Sequence, residues 1–284
     1  MLIAVDLAGV LSVIALSSRE EYKRENMIDE DYTCVYYFLD FMETLQETFH
    51  SNKFIICCEG GSDCRKKVYP TYKQNRKDRD PDTMAKLESM FEQEKVLLDI
   101  LREANIMIAH EWGYEGDDMI GSICINNPDK KIMIVSQDKD MHQLITDKVS
   151  VVNFRKNIIY NNRNFKDYHD GLSPKQFLEA LCMCGDKADN VMGIESIGLK
   201  TAAKYLKNDL KPHLKAYKRI TDNLDVVAQN KQVIQLPFKD TPAIVWEDRE
   251  YNTLAFLNAL EKYNMTDISR GSNQLRWSKL LRKM

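Results

Sequence analysis

The chain has 284 residues, 44% of them hydrophobic and 29% charged, with a formal net charge of −3; this suits one large globular domain or two smaller ones and excludes a disordered chain. Seven cysteines, an odd number without zinc-ribbon spacing, argue against a disulfide framework and for a reducing cytoplasm. The opening MLIAVDLAGVLSVIALSS lacks a basic start and carries Asp6 inside its apolar run; it is not read as a leader, and no stretch is long enough to predict a membrane span.

Four short β-rich runs, LIAV (2–5), KFIICC (53–58), NIMIAH (105–110) and KIMIVS (131–136), alternate with helical patterns. Val35, Phe38, Leu39, Met42, Leu45 and Phe49 recur at helical spacing. Asp80-Pro81 predicts the start of a long helix carrying Met84, Leu87, Phe91, Leu97, Leu98 and Leu101 on its apolar positions. A third helix is expected from Gly116 and a short fourth after Asp140. This alternation reads as an α/β fold with a mostly parallel central sheet flanked by helices. VSVVNF and NIIYN then predict a hairpin about Lys156-Asn157, and Ser173-Pro174 opens a helix ending at Gly185. A boundary is expected near residue 170, between an α/β part (1–170) and a helical part (171–284). The segment 207–284 yields least to this reading.

Nine acids fall where strands end or helices begin: Asp6, Glu59, Glu115, Asp117, Asp118, Asp138, Asp140, Asp186 and Asp189. In parallel sheets ligands bind outside the carboxyl ends of the strands, so these distant positions can converge. Asp138 and Asp140 project to one side if the backbone stays extended, whereas Asp186 and Asp189 share a face of any helical turn. Gathered carboxylates repel one another unless cations neutralise them, and an oxygen-only ligand set suits Mg²⁺ or Mn²⁺ rather than zinc. With these acids set aside, the remainder of the chain is mildly basic.

Two further segments suit phosphate chemistry. SDCRKKVYPTYKQNRKDR (62–79) interleaves Arg65, Lys66, Lys67, Lys73, Arg76, Lys77 and Arg79 with Tyr69 and Tyr72. The cations are expected to meet phosphates and Tyr72 to stack on unpaired bases, within a basic arch over 62–94. VMGIESIGLKTAAKYL has the pattern of a helix–hairpin–helix over 190–206. Gly193 and Gly198 are expected to let the backbone approach a phosphate, with Lys200, Thr201 and Lys204 at the following helix.

Taken in order, Asp6, the second acid Glu59, YKQNR, the ExDD and DxD clusters and GDxxDN before a helix–hairpin–helix resemble the 5′-nuclease, or flap endonuclease, superfamily. The bacteriophage-type exonucleases and ribonuclease H-like members are most similar in length and spacing. The match covers residues 1 to about 206, with a fainter echo in NKQVIQLP (230–237). The resemblance implies a PIN-like 5′-nuclease fold with a helical hairpin-bearing C-terminal part. It implies a phosphodiesterase acting near 5′ ends, flaps or junctions of DNA, and in some relatives on RNA in RNA–DNA hybrids. Asp6, Glu59, Glu115, Asp117 and Asp138 would form the site nearest the scissile phosphate, with Asp118, Asp140, Asp186 and Asp189 completing it or holding a second metal. Lys73 and Arg76 match arch residues that approach the phosphate, and the hairpin would grip duplex DNA, often with K⁺ on its carbonyls. Two features depart from the pattern: Glu59 stands where Asp is usual, and Leu7-Ala8 separate Asp6 from Gly9.

The expected mechanism is two-metal hydrolysis with Mg²⁺, Mn²⁺ substituting. The expected partners are branched or nicked DNA and replication proteins, for a monomer in the cytoplasm (the host's, if the chain is phage-encoded). Two other readings are a structure-specific DNA-binding protein that has lost catalysis and a toprim-type enzyme. Toprim would account for a glutamate and a DxD but not for ExDD, GDxxDN, YKQNR or the hairpin.

Overall fold

The computed structural model describes residues 1–17, 31–77, 80–265, 269, 277 and 279–281, with the side chains of residues 76 and 77 outside that description. In chain order the elements are β1 (Leu2–Asp6), α1 (Leu7–Leu16), α2 (Thr33–Phe49), β2 (Phe54–Cys57), α3 (Asp63–Val68), α4 (Pro81–Glu103), β3 (Met107–Ala109), α5 (Gly116–Asn126), β4 (Ile132–Val135), β5 (Val149–Asn153), β6 (Ile158–Tyr160), α6 (Phe165–Tyr168), α7 (Pro174–Cys184), β7 (Gly185–Asp186), β8 (Val191–Met192), α8 (Leu199–Leu206), α9 (Lys215–Thr221), α10 (Leu224–Ile234) and α11 (Thr253–Lys262). Short 3-10 turns cover Gln74–Lys77 and Lys139–Leu144.

The fold is the expected one, a mostly parallel sheet flanked by helices, and the chain gathers into two compact units. The first comprises residues 1–58, 79–109 and 246–284. Its strands β1 and β2, and β2 and β3, pair in parallel. All five residues of β1 and all four of β2 are buried, as strands covered on both faces require. The apolar run after Asp6 continues as helix α1. Leu7, Val10, Leu11 and Ile14 form its buried stripe at helical spacing, and Asp6 caps its start by accepting from the Gly9 N–H at 2.8 Å. α1 packs on α2 and α4, and α4 packs on α11.

Helix α4 begins as Asp80-Pro81 predicts, with the Asp80 carboxylate accepting from the Thr83 N–H at 2.9 Å. Its buried face differs from the expected one. Met84 and Phe91 are exposed, and Gln93 is buried in their stead. A buried amide needs partners: Gln93 accepts from the Cys34 N–H at 2.7 Å and donates to Asp31 at 2.9 Å, fixing the start of α2.

The second unit comprises residues 59–78 and 110–245. β4 and β5 pair in parallel, and β5 and β6 form the predicted antiparallel hairpin, with Asn157 at φ 53 in its turn. The helix expected after Asp140 is the tighter 3-10 turn Lys139–Leu144, capped by Asp138. α7 opens with a full capping box between Ser173 and Gln176 and packs on that turn, on α8 and on α10. The boundary expected near residue 170 therefore falls inside this unit, because α7 packs back across it. Among the described residues no helix is long and apolar enough to cross a membrane.

Candidate active site

The second unit builds the site around the start of α5. Glu115 is its N-cap and Asp118 stands one turn in, and both are buried. The Asp118 carboxylate accepts four N–H donors: Arg65 Nη2 (2.8 Å) and Phe238 N (2.8 Å) on Oδ1, and Arg65 Nη1 and Glu115 N (3.0 Å) on Oδ2. A carboxylate offers about four lone-pair sites, so all are taken. Asp118, expected among the metal-holding acids, is held by protein donors, and Arg65, expected on DNA, is its buried partner. The Arg65 Nε also donates to the Val233 carbonyl at 2.9 Å, and its guanidinium carbon lies 5.1 Å from the Phe238 ring centroid. This bidentate pair binds α3, α5 and the segment after α10 together.

Tyr72 is corrected in the same way. Expected to stack on bases, it is 5% exposed, and its hydroxyl lies 2.9 Å from both Glu115 Oε2 and Asp189 Oδ2. Burial, then the Glu115 charge, drives its pKa up, so it stays a protonated phenol that can donate. Lys73, in the left-handed region at φ 55, donates from its backbone N–H to the Asp189 carbonyl at 2.9 Å. Its ammonium pairs with Glu115 Oε1 and lies 3.8 Å from Asp189 Oδ2. The backbone strain of a non-glycine αL residue thus turns the Lys73 side chain into the acid cluster.

The remaining acids come from the 3-10 turn after β4 and the β7–β8 turn. Asp138 and Asp140 are not an extended pair: Asp138 Oδ1 accepts the Asp140 N–H at 2.8 Å. Asp186 and Asp189 lie not on a helix but at the end of β7 and in the turn that joins it to β8. Asp186 accepts from Lys139 Nζ at 3.0 Å and the Ala188 N–H at 2.8 Å. Partial burial alone would raise its pKa, but the Lys139 ammonium outweighs this and holds it below the usual carboxylate range. Lys139, given no role in the sequence, is therefore part of the cluster. Glu115, Asp117, Asp140, Asp186 and Asp189 line one narrow cavity, with Val233, Ile234 and Leu236 from the NKQVIQLP stretch closing it.

Asp140 is the acid least well served by protein groups. Its Oδ1 is buried with no hydrogen-bond partner among the described residues. Burial, then the charges of Asp138 and other acids, pushes its pKa up to about 8. The Asp138 pKa is raised too, first by the protein packed around it. Asp138 keeps an exposed surface, so Asp140 is the firmer sign of uncompensated negative charge. Among the described residues no three acids, histidines or cysteines are gathered closely enough to hold an ion as they stand. The donor set is nevertheless all oxygen, crowded and short of positive charge, and it fits divalent cations. Glu59, exposed, precedes Gly60 in this unit. Asp6 is buried at the end of β1 in the first unit.

Of the expected DNA-facing residues, Lys66 and Lys67 are exposed on α3, Lys200 and Lys204 on α8, and Thr201 is half-buried. Arg76 and Lys77 lie outside the described side chains. Gly193 is explained by packing: a Cβ there would sit 2.0 Å from the Cys184 carbonyl oxygen. At Gly198, before α8, an added Cβ would meet nothing within 4 Å. Asn230 of NKQVIQLP donates to the Cys182 and Met192 carbonyls, both at 2.9 Å, tying α10 to α7 and β8.

Residues 15–170 match the family model of the 5′-3′ exonuclease N-terminal resolvase-like domain. The chain belongs to the 5′-3′ exonuclease family. Within it, the 5′-3′ exonuclease of Buchnera aphidicola subsp. Schizaphis graminum is 31% identical over 217 residues, 75% of this chain and 69% of that one. The fold is shared with two bacteriophage T5 structures, each 20% identical and matched over 99% of this chain. One is a flap endonuclease pseudo-enzyme-product complex with DNA and metal ions (TM-score 0.69, 97% of that chain), the other a 5′-exonuclease with bound zinc (TM-score 0.70, 98%). Membership accounts for the ordered acid motifs and places this chain among the 5′-3′ exonucleases; the toprim reading has no support.

Proposed function

We propose that this family member hydrolyses phosphodiester bonds at 5′ ends, flaps or nicks of DNA with two divalent cations, Mg²⁺ with Mn²⁺ as substitute. The observation that carries the metal assignment is Asp140, with a buried carboxylate oxygen that has no partner among the described residues amid like charges. Asp117, Asp138, Asp140, Asp186 and Asp189 are the proposed ligands in the second unit, with Glu115 beside them. Glu59 and Asp6 are added on the family resemblance. When bound, the cations would activate water and neutralise charge on the transferring phosphate.

The protein's own groups have separate tasks. Tyr72 orients Glu115 and Asp189, and Lys139 keeps Asp186 ionised. Lys73 sets an ammonium at the acids, where it can draw a phosphate oxygen and offset charge developing on it. Arg76 is proposed as its companion on the resemblance alone. Lys66, Lys67, Lys77, Lys200, Thr201 and Lys204 are proposed phosphate contacts that position the substrate without reading its sequence. A K⁺ at the hairpin, action on RNA–DNA hybrids, replication partners, a monomeric state and a cytoplasmic location rest on the resemblance and on the composition.

The test sets 5′-flap, nicked-duplex and RNA–DNA hybrid substrates beside one another, with Mg²⁺ or EDTA, and includes Asp138→Asn. Mg²⁺-dependent cutting that falls by about a hundredfold or more in the variant is expected, and product lengths separate flap cutting from end trimming. Junction binding without cutting, in Mg²⁺ or Mn²⁺, would instead identify a binding protein that has lost catalysis, with Glu59 the first position to change.

A further inference from the structure

The turn between β3 and α5 presents a tryptophan that the fold itself does not use. Trp112 is 80% exposed, whereas Trp277 is fully buried and Trp246 half-buried. It holds the first central position of a turn in which the Tyr114 N–H donates to the Glu111 carbonyl at 3.2 Å and Gly113 follows at φ 83. A turn of this type needs positive φ at its second central position and suits proline at its first; nothing local asks for an indole.

The turn is pinned on both sides. Gly113 N donates to the Gly60 carbonyl (2.7 Å), Gly60 N to the Tyr114 carbonyl (2.9 Å) and Cys64 N to the Gly113 carbonyl (3.1 Å). These bonds fasten it to the residue after Glu59 and to the first turn of α3, which carries the exposed Lys66 and Lys67. The exposed His110 ring meets the indole edge-on, centroids 4.9 Å apart at 89°. Glu115 follows three residues later, so at most roughly 10 Å of chain separates it from Trp112, about three nucleotide rises of ~3.4 Å. A lone exposed apolar side chain is ordinary. An indole on a turn pinned to the lysine-bearing α3 and three residues before Glu115 is not.

We propose that Trp112, with His110 at its edge, is a stacking platform for an unpaired base of the strand that enters the acid site. The proposal rests on the nuclease reading above. Every base offers a π face, so an aromatic platform tolerates any sequence, while the lysines take the phosphates. Because the turn is already pinned, little freedom is lost when a base stacks on it.

The test titrates the full chain, in EDTA so that nothing is cut, with a single-stranded oligonucleotide while tryptophan emission is followed. The wild type should be quenched, and Trp112→Phe, which keeps Trp246 and Trp277, should not. Trp112→Ala should bind roughly tenfold more weakly, and Trp112→Phe should recover most of the loss. Unchanged affinity in Trp112→Ala would overturn the platform, as would equal quenching by a covalently closed duplex circle, which offers no unpaired base. The two readings fail separately: quenching without cutting on any substrate sinks the nuclease, and cutting without quenching sinks the platform.

Discussion

At the scale of single residues, one acid of the cluster differs from the others in what its lone pairs do. Asp118 is saturated by four N–H donors, whereas Asp140 keeps a buried oxygen without a partner among the described residues. Substituting each should therefore have opposite consequences. Arg65→Ala leaves the Asp118 charge buried and should cost about 3–5 kcal/mol in urea unfolding; a cost below ~1 kcal/mol would mean that the pair does not hold the unit together. Asp140→Asn removes like-charge crowding and should leave the fold at least as stable in EDTA. The sequence shows the ExDD acids but not this division of labour. Arg65 and Tyr72 look like the other cations and aromatics of a basic run, and their burial is decided by Asp118, Glu115 and Asp189, each more than 40 residues away.

At the scale of elements, strands β1 to β6 were legible as short apolar runs, whereas the two-residue β7 and β8 were not, and the caps Asp80 and Ser173 marked helix starts by local chemistry alone. What the sequence concealed depends on partners. α1 looks like a featureless apolar run because it follows β1 without a loop, and the 3-10 turn after Asp138 carries no signal that separates it from a helix. The segment 246–252 is unreadable for the same reason. It is held by Tyr251, whose half-buried hydroxyl donates to the Asn52 carbonyl and accepts from the Phe54 N–H. Burial raises the Tyr251 pKa to about 12. A raised folded pKa gives stability that is complete below the unfolded value near 10 and is lost as pH rises toward 12. Denaturation across that window should show a steeper loss in the wild type than in Tyr251→Phe; equal slopes would remove Tyr251 as the cause. In α8, the exposed Lys200 should contribute a phosphate contact. Lys200→Ala should weaken duplex binding and lower the salt slope by about one, without slowing cutting at saturation.

At the scale of the whole molecule, the net charge of −3 conceals a local crowding of acids in one cavity of the second unit. Its expected consequence is a stability linked to metal. Cations that bind the folded acids and not the unfolded chain should raise the melting temperature, by an amount equivalent to about 2.7 kcal/mol at a hundredfold excess over Kd. The domain pattern could not be read linearly, because 246–284 returns to the first unit and 59–78 belongs to the second. Linear composition does not reveal such crossings.

The most direct test is single-turnover cleavage of a 5′-flap substrate over a Mg²⁺ titration, with wild type and Asp140→Asn in parallel and flap binding measured in EDTA. The acid-cluster mechanism predicts a rate that rises with Mg²⁺, vanishes in EDTA and falls by about a hundredfold or more in Asp140→Asn, while flap binding in EDTA persists. Cleavage that continues in EDTA, or an Asp140→Asn protein that cuts at the wild-type rate, would contradict it.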